Sequence, residues 1–208
     1  MRQREGQPRR KLGIECTVTG FLVLLGGCSE SPKPVKAVEP ISAQSAFYKM
    51  FVAARNWAAD AQPMRVAEID VDDVKAEGGR AGAWEAVFVS QSQGRQCRYI
   101  YSVVHRPARN LRGGVNADPP ENWSGRGDSE PFLVQAFKVD SPAAYEVAMK
   151  HGREYARKNP GMAVKFLLEK TRRFPNPAWQ VFWGESVSAS GYSVFVDAIT
   201  GEYLGTGR

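Results

Sequence analysis

The chain has 208 residues, of which 43% are hydrophobic and 24% charged, a mix that excludes a disordered chain and a polytopic membrane protein and leaves room for one large or two small domains. Its net charge of +6 suggests a polyanion until it is divided: Arg2, Arg4, Arg9, Arg10 and Lys11, set against Glu5 and Glu15, place half of it before residue 28. What remains is the charge of a solvated, mixed surface, and no nucleic-acid partner is expected.

Residues 1–15 are basic and polar, residues 17–27 (TVTGFLVLLGG) are apolar and small, and Cys28 follows. A spanning helix needs about 20 apolar residues, so this run reads as the apolar region of a signal peptide. Leu25, Gly26, Gly27 and Cys28 resemble the lipobox of bacterial lipoproteins. The resemblance implies cleavage before Cys28, acylation of its sulfur and of the new amine, and attachment to a membrane through acyl chains such as palmitate. Each buried methylene contributes about 0.8 kcal/mol, so two or three chains hold a protein on a bilayer where one barely does. Ser29 is not the aspartate that resembles an inner-membrane retention signal, so by the same analogy the periplasmic face of an outer membrane is favoured if the cell is Gram-negative.

Residues 29–40 (SESPKPVKAVEP) carry three prolines and no apolar period; extended, they reach roughly 37 Å, and they read as a tether. Phe47, Met50, Phe51, Ala54, Trp57, Ala58 and Ala61 then recur every three or four residues and predict a helix over about 42–61, with Ser42 as N-cap and Pro63 as stop. A hairpin is expected at 83–104. Residues 106–131 are rich in Gly, Pro, Asn and Asp and read as a long linker or binding loop, in which Arg106, Arg109 and Arg112 could meet an anion and Trp123 could stack on a ligand. Residues 132–139 read as a strand. Ser141, followed by Pro142, opens a second helix, with Tyr145, Ala148, Gly152, Tyr155 and Ala156 on one face, ended by Asn159-Pro160-Gly161.

In the last stretch, alternation places Trp179, Val181 and Trp183 on one face of a strand and Tyr192, Val194, Val196 and Ala198 on one face of the next, with residues 184–191 as the turn. AWEAVFVSQS at 83–92 parallels AWQVFWGESV at 178–187. Tyr48, Trp57, Met64, Val66 and Trp84 fall in the order of Tyr145, Tyr155, Met162, Val164 and Trp179. The expected class is therefore α+β, with two units of helix over antiparallel sheet: residues 1–27 leader, 28–40 tether, 41–105 first unit, 106–131 linker and 132–208 second unit.

The second unit ends in Asp197-x-x-Thr200-Gly201-Glu202, where glycine supplies the positive φ of a tight turn and Asp197 and Thr200 can bond its backbone. With the helix and Trp179 ahead of it, the stretch over roughly 141–205 resembles a PepSY domain; the first half lacks this ending. The resemblance implies a non-enzymatic envelope protein that binds a protein or peptide, such as a peptidase it restrains, with the hairpin edge as the receiving strand. A small-ligand carrier or sensor is the other reading, with Trp84, Trp179, Trp183 and Tyr192 lining a pocket; core packing is the plainer account of the same aromatics. No nucleophile elbow, paired zinc ligands, Walker loop or dinucleotide glycine pattern occurs, so no catalytic residue, metal or cofactor is assigned. Cys97 is left without a partner cysteine once Cys16 departs with the leader and Cys28 is acylated.

Overall fold

The computed structural model describes residues 38–109 and 111–207; the leader, the lipobox and most of the tether lie outside them. In chain order the elements are β1 (Ile41–Ser42), α1 (Ala43–Trp57), β2 (Gln62–Ile69), β3 (Arg80–Ala81), β4 (Ala83–Ser90), β5 (Arg95–Ser102), β6 (Gly114–Ala117), β7 (Glu121–Asn122), β8 (Ser129–Glu130), α2 (Ser141–Lys158), β9 (Val164–Thr171), β10 (Ala178–Gly184), β11 (Ser190–Asp197) and β12 (Tyr203–Gly207). Ser42 caps α1, its side chain accepting from the amide of Ser45. The second helix starts one residue earlier than the sequence suggests: Asp140 is its N-cap, Ser141 its first residue, and Pro142 falls in the first turn, where a missing N–H costs nothing.

The expected pair of separate helix-on-sheet units is corrected. Ten strands form one antiparallel sheet in the order β12-β11-β10-β9-β2-β4-β5-β6, with β7 on β5 and β8 on β9, and residues from 37 onward make a single unit. The sheet dominates, with two helices against it. It is continuous because β2 and β9 pair at its centre through Arg65↔Glu169, Val66↔Leu168 and Ala67↔Leu167. One apolar core covers both halves: Phe47, Met50, Phe88, Phe137, Leu168, Trp84, Trp179 and Trp183 all lie in it, each no more than 1% exposed.

Residues 106–131 are not a linker between bodies. β6 and β7 extend the sheet beyond β5, and β8 joins β9, so the loop is stitched onto the sheet at three places. Residues 132–139 do not form a strand either: Val134–Ala136 is a 3-10 turn, and the amides of Lys138 and Val139 both donate to Ala198 O, at 2.9 and 2.8 Å.

The two tryptophans that mark the parallel stretches do matching work. The indole N–H of Trp84 donates to Ile41 O at 2.9 Å and that of Trp179 to Val139 O at 2.8 Å, in each case the residue just before a helix N-cap. Across the ladder Trp84 faces Glu68 and Trp179 faces Leu168. On that register Val66 matches Phe166 rather than Val164.

Candidate functional site

The three-residue contact between β2 and β9 leaves a gap at each end. At one end β8 fills it: Ser129 and Glu130 pair with Thr171 and Lys170, and the amide of Phe132 donates to Pro63 O at 2.8 Å. At the other end β2 continues to Ile69 and β9 begins at Val164 without pairing to each other. The opening holds two adjoining cavities of about 290 and 380 Å³, which share Glu68, Asp70, Lys75, Ala76, Ala163 and Lys165 as walls. One is closed further by Val71, Val74 and Glu185, the other by Gly79, Arg80, Tyr145 and Phe166.

Strand alternation puts Glu68 on the same face of β2 as the fully buried Val66, the face that packs against the helices. Its counterpart opposite Trp179 is Leu168, an ordinary core residue that is 0% exposed. A carboxyl therefore stands where the matching position needs only apolar bulk. It makes no hydrogen bond or ion pair among the described residues. Burial, reinforced by the charge of Asp70 and opposed by that of Lys165, raises its pKa to about 8.

Lys165 stands on β9, one residue before Phe166, with only 9% of its surface exposed. Its ammonium donates to Asp70 Oδ2 at 2.5 Å, to Glu185 O at 3.0 Å and to Glu185 Oε2 at 3.1 Å. Burial pulls its pKa down, but those bonds outweigh burial and hold it above the ordinary lysine value. All three donors of the ammonium are thus engaged. The site offers one half-buried carboxyl, unpaired among the described residues, a second carboxylate tied to a saturated lysine, and an apolar wall.

The residues singled out in the sequence lie elsewhere. Cys28, Leu25, Gly26 and Gly27 are outside the described residues. Trp179 and Trp183 are 0% and 1% exposed, packed edge-on against Phe137, Phe166 and Tyr155; they fill the core. Tyr192 is half-buried and stacks on Tyr155 at 4.9 Å between ring centroids. The half-buried Trp123 follows β7, its amide bonded to Gly94 O at 2.9 Å. Arg106 is paired with Asp73 at 2.5 Å. The hairpin edge is covered, since β11 pairs with β12 as well as with β10.

The Asp197 turn has the bonds its sequence suggests. Asp197 Oδ1 accepts from the amides of Ile199 and Thr200 at 2.8 and 3.0 Å, Thr200 Oγ1 accepts from the amide of Glu202 at 3.2 Å, and Gly201 has φ +78°. Burial pushes the Asp197 carboxyl up, but the Asn176 amide and those backbone donors prevail and hold it below the usual range. This is a rigid corner rather than a reactive site. Among the described residues no group of His, Cys, Asp or Glu is placed to hold a metal, and no helix is long and apolar enough to cross a membrane.

Glu68 was not singled out in the sequence. The available signal was a glutamate two residues after Val66, on the buried face of a strand whose parallel ends in Leu168.

No family model matches the chain, and no curated protein matches it. Among solved structures, the crystal structure of a putative lipoprotein from Clostridium difficile is similar over 84% of this chain and 95% of that one, at 10% identity and a TM-score of 0.45.

Proposed function

We propose that this chain is a non-enzymatic, lipid-anchored envelope protein, held at a membrane through acylated Cys28, whose single sheet carries a ligand-binding notch between β2 and β9. The anchoring half rests on the Leu25-Gly26-Gly27-Cys28 lipobox and the proline-bearing tether behind it. The binding half rests on one observation: the gap at one end of the β2/β9 contact is filled by β8, while the other stays open around Glu68. The Asp197-x-x-Thr200-Gly201 corner supports a PepSY-like reading of the second half, and with it an envelope location.

Anchoring is tested by Cys28→Ser, expected to abolish acyl labelling and to release the protein from the membrane fraction; unchanged membrane association refutes it. Binding is tested by NMR of the body (residues 38–208) against small molecules extracted from cell envelopes. Shifts should gather at notch residues and disappear in Ala163→Trp, which places an indole in the opening from an exposed position. Absence of any notch shift refutes the binding half.

A second reading is favoured by β12, which pairs on one side only. Its free edge is where a peptide strand from a protein partner, such as a peptidase, would add.

A further inference from the structure

Building on the notch as a ligand site, we infer that its ligand carries an organic ammonium group, seated at Glu68 beside Asp70, with an apolar body against Phe166, Tyr145 and Met162. Three observations lead there. The cavity on the helix side, about 380 Å³, has these three residues as its apolar wall and Glu68 and Asp70 as its acidic one, so it suits a small amine with a ring or short chain. The buried lysine of the site cannot serve an anion, since each N–H of Lys165 already has an oxygen, from Asp70, Glu185 O or Glu185 Oε2, and Lys75 stands exposed at the rim. The Glu68 carboxyl has no partner among the described residues, and it occupies a place where Leu168 serves the matching half. Glu68 is half-buried, and an ammonium is the group that would pair its carboxyl with charge and hydrogen bonds together.

The charged and titratable groups around Glu68 are consistent with a cation. Asp70 lies on its own chain segment, Lys165 on β9, Glu185 just past β10, Asp72, Lys75, Glu77 and Arg80 on the segment between β2 and β4, and the phenol of Tyr145 on α2. Lys165 is neutralised by its two acidic partners. Lys75 and Arg80 are exposed cations on the rim, where a carboxylate on the same ligand would meet them.

The cation must bind ionised Glu68, which is largely protonated below pH 8. Binding therefore releases a proton, and affinity rises about tenfold per pH unit up to that point before it levels off.

The experiment is calorimetric titration of the body (residues 38–208) with phenethylamine, 2-phenylethanol and 3-phenylpropionate between pH 6 and 9. Phenethylamine alone should bind, tightening about tenfold from pH 6.5 to 7.5, with the Glu68 carboxyl resonance titrating lower in the complex. Glu68→Gln should lose at least tenfold in affinity together with its pH dependence, and Ala163→Trp should block the site from a different wall. Equal binding of the alcohol, tighter binding of the carboxylate, or an unchanged Glu68→Gln titration would overturn the inference. Acetyl-Ala-Lys-Ala-amide, compared with butylamine, separates the two sources of an ammonium: tighter binding of the peptide assigns a protein side chain, tighter binding of butylamine a free amine. If envelope compounds shift the notch while amines do not, the inference fails and the notch reading stands; if nothing binds there, both fail.

Discussion

Asp140 caps a helix far before it in the chain: its Oδ1 accepts from the amide of Gln44, 96 residues earlier, at 2.9 Å as well as from that of Ser141, in its own helix, at 2.7 Å. Beside it Ser141 Oγ accepts from the amide of Ala43 at 2.9 Å and donates to Gly79 O at 2.6 Å. The N-termini of α1 and α2 thus share one set of polar caps, which locks the two halves of the chain together above the sheet. An ordinary cap contributes about 1 kcal/mol. Asp140→Ala is expected to cost about 2 kcal/mol, since amides in two helices lose their acceptor, and Asp140→Asn distinctly less. Urea denaturation checks this, as a lower midpoint with an unchanged slope.

Trp84 and Trp179 hold the chain just ahead of those caps through Ile41 O and Val139 O. Trp84→Phe and Trp179→Phe should each cost about 1–3 kcal/mol, because each leaves a part-buried carbonyl without its indole donor. Similar losses at the two sites, measured by thermal denaturation, are the expected result. A loss at only one would show that the matching geometry does not carry matching energy.

Helix periodicity, the Ser42 cap, both Trp-bearing strands and the Asp197 corner were legible in the sequence, because each is decided by residues within a few positions of one another. The joining of the halves was not. Ala67 and Leu167 meet at the middle of the sheet, and no local pattern in either strand announces a partner 100 residues away. For the same reason the segment at 106–131 read as a linker: β6, β7 and β8 are two to four residues long and become strands only where β5 and β9 offer an edge. The alternation that marked Trp179 and Trp183 as sharing a face was sound, but a shared face does not say whether it borders a cavity or a helix; here α2 covers it, with Gly152 set close against Trp183. The notch could not be read at all, since it exists only where two remote strands part.

Within the notch, the neighbours of Glu68 should move its ionisation in opposite senses. Lys165→Met removes the one charge that lowers its pKa, so the carboxyl should titrate above about 8. Asp70→Asn removes the charge that raises it and frees Lys165 to act on Glu68, so the carboxyl should titrate lower. Carboxyl-detected NMR across pH 5 to 10 reads both shifts. A titration unmoved in both variants would mean that burial alone governs the group.

The same carboxyl sets a pH dependence of stability whose sign runs against the usual acid-sensitive carboxylate. In the unfolded chain Glu68 loses its proton near its ordinary value of 4.5, whereas in the fold it keeps the proton to about pH 8. Between those values the folded state binds the extra proton, so its contribution is complete below pH 4.5 and is lost as the pH rises through 8. Asp60, held at about 2 by Ser90 and Ser92, and Asp197, also held low, act in the other sense and lose their contributions only as the pH falls further into acid. Glu68→Leu places at this position the side chain that Leu168 already supplies opposite Trp179. It should gain about 1–3 kcal/mol at pH 8.5 and little at pH 5, which for a body of this size raises the melting temperature by about 5 °C at the higher pH. Thermal melts of the two proteins at both values decide it: equal Tm at pH 8.5 would show that the Glu68 carboxyl is solvated in the fold and imposes no cost there.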